Sequence, residues 1–169
     1  MNSSGIEIEH KYLIEYPDRN ELLKLDGASS AILSQTYLKT DSSCTERVRR
    51  WEQNGKVRYY HTVKRRVSDL THLEDEQQIE EGEYLDLLTR RDESAQTIEK
   101  ERIMIPFAGH TVEVDIYPFW QDRAVAEVEV SGEEEEVLLP DTIKVIREVS
   151  DDRRYKNARL AFDHSFPLD

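Results

Sequence analysis

The sequence predicts an α+β protein built around a closed eight-stranded β-barrel, with a charged lumen and helices packed around it. Three observations carry this expectation. Polar and apolar residues alternate with period two in one segment after another, the pattern of strands with two unlike faces. On each polar face, successive residues carry charge of nearly one sign. Between and after these segments, short stretches space their apolar residues as a helix does.

In chain order, strands are expected near 6–14, 31–39, 44–51, 57–65, 72–79, 96–105, 110–118 and 123–131. In the first, Glu7, Glu9 and Lys11 share one face while Ile6, Ile8 and Tyr12 share the other. Asn54-Gly55 between the third and fourth is a hairpin signal, and Gly109 predicts a tight connection between the sixth and seventh. Helices are expected over 18–25, with Pro17 at its first turn, over 80–90, where Tyr84, Leu87 and Leu88 line up, and over 150–162, opened by a Ser cap and two Asp residues. The run Glu133 to Glu136 reads as a solvated face. With 169 residues and no linker or repeat, residues 1–169 are expected to form one domain.

The signs of the polar faces point to the closed barrel. Glu7 and Glu9 are acidic, with Lys11 beyond them; Arg47, Arg49 and Lys64 are basic; Glu74 and Glu76 acidic; Lys100 and Arg102 basic; Glu113, Asp115, Glu127 and Glu129 acidic. Like charges two residues apart on one strand face repel, so the pattern costs stability unless opposite charge lies between the rows. A salt-bridged surface sheet accounts for any single pair but gives no reason for one sign per strand. A barrel of eight strands encloses a lumen that holds side chains or one small ligand. There, acidic strands can hold hard cations such as Mg²⁺ or Mn²⁺, and basic strands can face a polyanion.

The composition narrows the ligand. The net charge of −13 repels nucleic-acid backbones at long range, so a polyanion must be met by locally clustered Lys and Arg. The single cysteine, Cys44, excludes an internal disulfide. No apolar run is long enough for a membrane span, and no signal-peptide pattern opens the chain, so a reducing, cytoplasmic setting is expected.

These residues, in this order, resemble the CYTH superfamily, the triphosphate tunnel metalloenzymes, which includes inorganic triphosphatases, thiamine triphosphatases and class IV adenylate cyclases. The resemblance begins with Glu7-x-Glu9-x-Lys11 and continues through Arg47-x-Arg49, Lys64, Glu74-x-Glu76, Lys100-x-Arg102, Asp115 and Glu127-x-Glu129. The stretch Asp152-Arg153-Arg154-Tyr155-Lys156-Asn157 is similar to the D-K-R-Y-K-N of bacterial tripolyphosphatase-like members. The family implies an eight-stranded antiparallel tunnel. It implies metal ligation by Glu7, Glu9, Asp115, Glu127 and Glu129, and phosphate contacts from Lys11, Arg47, Arg49, Lys64, Lys100, Arg102 and Arg153. Glu74 and Glu76 fall where the family keeps lumen acids, and Tyr37 at a position that can face the lumen. The chain departs from the pattern at His72, where similar members carry Arg, and at Arg153, where they carry Lys; Arg66 reads as a solvated rim residue.

The function expected is metal-dependent hydrolysis of the terminal phosphoryl group of a triphosphate, inorganic tripolyphosphate first. Glu9 or Glu76 would take the proton from water, beside Lys11. No Ser, Cys or His arrangement suggests a covalent intermediate. Other readings stay open: ATP cyclisation in the same tunnel, thiamine triphosphate hydrolysis with Trp51 or Trp120 as aromatic surface, and a module that binds polyphosphate or nucleotides without turnover. Expected partners are a small-molecule triphosphate and at most a second copy of the chain in a homodimer, with neither a nucleic-acid duplex nor a membrane.

Overall fold

A computed structural model describes residues 2–41 and 43–168. It contains nine strands: β1 (Ser3–Glu15), β2 (Ser29–Tyr37), β3 (Thr45–Gln53), β4 (Lys56–Arg66), β5 (Thr71–Ile79), β6 (Ile98–Phe107), β7 (His110–Ile116), β8 (Arg123–Val130) and β9 (Val145–Glu148). The helices are α1 (Arg19–Leu23), α2 (Glu81–Leu88) and α3 (Asn157–Leu160), with a 3₁₀ turn at Arg153–Tyr155.

Strands pair antiparallel in the order β5-β4-β3-β2-β6-β7-β8-β1, and β5 pairs with β1 to close an eight-stranded barrel. The expected closed antiparallel barrel is thus the fold. Closure depends on the length of β1. Its first half, from Ser3 to Ile8, pairs with β5, while Ile8 to Glu15 pairs with β8 on the other side. Where β5 leaves, β9 takes its place against Tyr12 to Ile14. The two expected tight turns form as predicted. Asn54 and Gly55 have φ of 51° and 74°, and Ala108 and Gly109 have 49° and 81°, so both residues of each turn are left-handed. That handedness matches the twist of the flanking strands.

Alternation then sorts the side chains. Outward residues of β6, β7 and β8, such as Ile103, Ile105, Val112, Val114, Ala126 and Val128, form one apolar cluster with Leu22 of α1 and Ile143. A second cluster fills one end of the barrel. Leu13, Val125, Ile98 and Tyr117, each the next inward residue beyond a charged one, meet Trp120, Tyr155 and Leu160 there. Buried apolar side chains contribute about 1.5–3 kcal/mol each, so this floor anchors the C-terminal segment against the barrel.

Four expectations need correction. The helix expected over 150–162 is two short pieces, because Lys156 between them is extended at φ −71° and ψ 133°. Asp152 caps the 3₁₀ turn, and the break turns Lys156 toward the barrel, where its Nζ donates to the Asp69 carbonyl at 3.1 Å. Pro17 lies before the first turn of α1, and Asp18 is the cap, accepting from the Asn20 and Glu21 amides. The acidic run is not simply solvated: Glu133 accepts from Ser68 and Thr71, and Glu135 from Ser131 and His110. Helices cover less of the barrel than expected, with the 137–143 segment packing part of its outer face instead. No helix of the described residues is long and apolar enough to cross a membrane.

Candidate active site

Barrel register places the charged rows side by side. Lys11 lies opposite Glu127, and Glu9 opposite Glu129, across β1 and β8. Glu7 lies opposite His72 across β1 and β5, and Lys64 opposite Glu74 across β4 and β5. Arg47 and Arg49 face in from β3, and Arg102 from β6 opposite Asp115 of β7. The rows enclose one cavity of about 820 Å³, lined by seven carboxylates and nine lysines or arginines. Of the expected site residues, Glu7, Glu9, Lys11, Arg47, Arg49, Lys64, Glu76, Arg102, Glu127, Glu129 and Arg153 all line it.

Asp115 and Lys100 do not. Both side chains are fully buried, beneath the cavity wall. Lys100 Nζ donates to Asp115 Oδ2 at 2.6 Å, and Arg102 grips the same carboxylate with Nε at 2.8 Å and Nη2 at 2.9 Å. Asp115 therefore serves as counter-ion to two cations. Lys100 offers its proton to Asp115, not to a ligand; burial, Arg102 and Arg49 bring its pKa down to about 7 against the pull of Asp115.

Higher in the cavity the pairing loosens. Lys64 Nζ lies 2.5 Å from Glu7 Oε1 and 3.9 Å from Glu74. Lys11 Nζ lies 3.2 Å from Glu127 Oε1 and donates to the Tyr155 carbonyl. Glu7 Oε1 and Glu127 Oε1 are both buried and lack a hydrogen bond of proper geometry. The ammonium groups are near enough to attract them but are not aligned on them. Arg47 lies 3.9 Å from Glu76, which accepts from Thr62 at 2.8 Å. Arg49 donates twice to Gln35 Oε1.

The Glu9 carboxylate has no hydrogen bond among the described residues. Burial, then the charges of Glu127 and Glu7, push its pKa up to about 7 despite Lys64 and Lys11. Burial and Glu7 push Glu74 up to about 8. Burial also raises Glu113 and Glu129, each with help from neighbouring carboxylates. Such carboxylates resist ionisation until a cation joins them, and their oxygens suit Mg²⁺ or Mn²⁺. Against the cost of burial, Lys64 holds Glu7 down to about 2 and Lys11 and Arg102 hold Glu127 well below the usual range, so these two are already ionised; with Glu9 and Glu129 they offer a divalent ion suitable oxygen donors. Among the described residues no three acids are already gathered at ligating distance; Lys11 and Lys64 lie against the carboxylates an ion would use.

His72 is neutral here. Burial and the nearby Lys64 and Lys156 press its pKa to about 4, and its buried Nδ1 has no partner. It cannot replace the charge of the arginine in similar members. Sequence reasoning did not assign Lys156, Arg159 or Glu113 to the site, although all three line the cavity. Glu113 was visible in the acidic row, and Lys156 in the C-terminal motif; for Arg159 the sequence held no signal. Trp51 lines the cavity, whereas Trp120 packs in the floor against Tyr117 and Tyr155. Tyr37 does both.

No protein-family model and no curated protein matches the sequence. Solved structures do match. The inorganic triphosphatase NE1496 is 27% identical, with 94% of this chain and 95% of that one covered at a TM-score of 0.56. The PH1819 protein of Pyrococcus horikoshii OT3 is 20% identical over 76% of this chain and 80% of that one, with a TM-score of 0.59. HpAC1 from Hippeastrum, an adenylyl cyclase candidate with a dominant triphosphatase activity, is 14% identical over 75% and 81%, with a TM-score of 0.52. The last two bear on fold alone. The closed tunnel, the order of its charged strands and the similarity to an inorganic triphosphatase agree with the resemblance to the CYTH, or triphosphate tunnel, superfamily.

Proposed function

We propose that this protein hydrolyses the terminal phosphoryl group of a triphosphate, inorganic tripolyphosphate first, with a divalent ion, Mg²⁺ or Mn²⁺, as cofactor. One observation carries the reading: seven carboxylates and nine lysines or arginines converge on a single cavity. A site that only bound phosphate would need the cations and would gain nothing from the acids. The similarity to an inorganic triphosphatase supports the same choice.

Lys11, Arg47, Arg49, Lys64 and Arg102 would bind the phosphate oxygens, and their charge would stabilise that developing in the transition state. Seating the polyanion would draw Lys64 from Glu7 and Lys11 from Glu127, freeing those carboxylates. Glu7, Glu9, Glu127 and Glu129 would hold the divalent ion, which supplies polarisation of a phosphate oxygen and a lowered pKa for water. Glu9 is the better proton acceptor for an attacking water, since Glu76 already accepts from Thr62. The water oxygen bonds to the terminal phosphorus as the bridging P–O bond breaks; diphosphate leaves, and the water's proton passes to a Glu9 oxygen.

The test is a phosphate-release screen over tripolyphosphate, ATP and thiamine triphosphate, each with Mg²⁺, Mn²⁺ and Ca²⁺. Release from tripolyphosphate that is lost in Glu9→Gln and Glu127→Gln, with the fold retained, is expected. Cyclic AMP from ATP would redirect the reading to a cyclase, and tight binding without turnover under every ion would refute it.

A further inference from the structure

Every other barrel strand brings charge to the lumen side; β2 does not. Its inward row lies opposite Arg47, Arg49 and Trp51 of β3, and opposite Lys100 and Arg102 of β6. That row reads Ala31, Leu33, Gln35 and Tyr37. A neutral strand thus separates two basic ones. Gln35 is fully buried and does not line the cavity, whereas Arg49, directly opposite it on β3, does.

The amide of Gln35 is oriented by its neighbours. Its Oε1 accepts from Arg49 Nε at 3.2 Å and from Nη2 at 2.8 Å, and its Nε2 donates to the Tyr37 hydroxyl at 3.3 Å. Turned over, the amide would set its own N–H groups against the guanidinium, so only one orientation serves these donors. The two bonds fix one edge of the guanidinium and leave Nη1 outside them.

Arg49 is also the buried lumen cation without a counter-ion. Lys11 has Glu127 beside it, Lys100 has Asp115, and Arg102 has both Asp115 and Glu113. Arg49 forms no ion pair among the described residues; Glu76 and Asp115 act on it only from a distance. Burial, Arg47 and Arg102 bring its pKa down to about 10, which leaves it charged at neutral pH. A glutamate at position 35 would have nearly the shape of glutamine and would hold the same guanidinium edge, but it would neutralise the charge as well.

We infer that Gln35 is a positioning residue that holds the Arg49 guanidinium without neutralising it, so that the oxygens of a bound polyphosphate supply the missing counter-charge. This rests on the reading of the tunnel as a triphosphate site. It requires stability and ligand affinity to part company when the amide becomes a carboxylate.

Gln35→Glu and Gln35→Met are compared with the wild type at neutral pH in EDTA, where no turnover competes, by urea unfolding and by calorimetric titration with tripolyphosphate. Gln35→Glu should keep or raise the urea midpoint, because its carboxylate meets a buried cation that lacks one. It should weaken tripolyphosphate roughly tenfold, the loss of one charged contact. Gln35→Met leaves the guanidinium charged but unheld. It should lower the midpoint, yet weaken tripolyphosphate less than Gln35→Glu does. A residue that only supported the fold would make affinity follow stability, with Gln35→Met the weaker binder. That ordering would overturn the inference, as would a lowered midpoint in Gln35→Glu. Turnover by the wild type with unaltered affinity in Gln35→Glu would sink the role of Gln35 and spare the hydrolase reading. Selective weakening in Gln35→Glu, in a protein that no divalent ion makes active, would do the reverse.

Discussion

Replacing Asp115 by Asn separates a buried counter-ion from a metal ligand. In the structure the carboxylate is fully buried and takes three donors, one from Lys100 and two from Arg102. Asn keeps the shape but loses the charge, leaving two buried cations short of a partner. Breaking a buried pair in this way costs about 3–5 kcal/mol. The lower end is expected, about 3 kcal/mol, because Lys100 can shed its proton: its pKa is already near 7, and only Asp115 and Glu127 raise it. Urea unfolding at neutral pH reads this as a lower midpoint with an unchanged slope. Adding Lys100→Met should recover much of the loss, since the orphaned charge then goes too. Mn²⁺ binding, followed by titration, should persist in Asp115→Asn. Unchanged stability together with lost Mn²⁺ binding would refute the counter-ion assignment and restore Asp115 as a ligand.

Three further outcomes follow from the cavity. Glu9 and Glu74, raised by burial and neighbouring carboxylates to about 7 and about 8, hold protons in the folded state that the unfolded chain has lost above pH 4.5. Stability of the metal-free protein should therefore fall as pH rises from about 5 to 7, opposed below 6.5 by His72, pressed to about 4, and toward neutrality by Lys100, brought down to about 7. Urea unfolding across this range in EDTA measures it, and Glu9→Gln should flatten the slope; an identical slope in the variant would discard the Glu9 assignment. Mn²⁺ at a hundredfold excess over its Kd should stabilise the wild type by about 2.7 kcal/mol, and Glu7→Gln or Glu127→Gln should abolish that gain. Arg49→Ala should raise KM for tripolyphosphate about tenfold or more, as loss of a charged contact does, with kcat nearly unchanged; normal kinetics would place Arg49 outside the substrate's reach.

Much of the barrel was legible because the determinants were local. Period-two alternation and one-sign rows located eight strands within two or three residues at most ends, and Asn54-Gly55 and Gly109 named their own turns. The cavity lining followed, since residues two apart share a face. The C-terminal segment was misread for a reason also visible in physical terms. Its composition favours a helix, but Lys156 is extended, with its amine bonded to Asp69 across 87 positions of sequence. β9 was missed because Val145 to Glu148 is short and edge-like, and pairs only where β5 has left β1. Asp115 was beyond reach in another way. Alternation gives its face but not its depth, and depth decides whether a carboxylate meets a metal or two arginine nitrogens.

Depth also explains how one barrel combines a stable core with a polyanion site. Along β1 the inward row reads Glu7, Glu9, Lys11, Leu13, and on β8 it reads Glu129, Glu127, Val125. The apolar ends meet in the floor with Tyr117 and Tyr155. Just above, where water is scarce and charge interactions are strongest, Lys100 and Arg102 share Asp115, and Arg102 also bonds Glu113. One layer higher, the Glu9 carboxylate has no hydrogen bond among the described residues, Glu7 and Glu127 are poorly aligned on their lysines, and the pKa of Glu9 approaches neutrality. Tighter pairing there would leave no charge for a ligand, and full exposure would leave no reason for a perturbed pKa. The reactive layer is thus fixed by how far up the strand the apolar floor ends, and lengthening that floor by one inward residue, as in Lys11→Leu, would remove the site while leaving the barrel pattern intact.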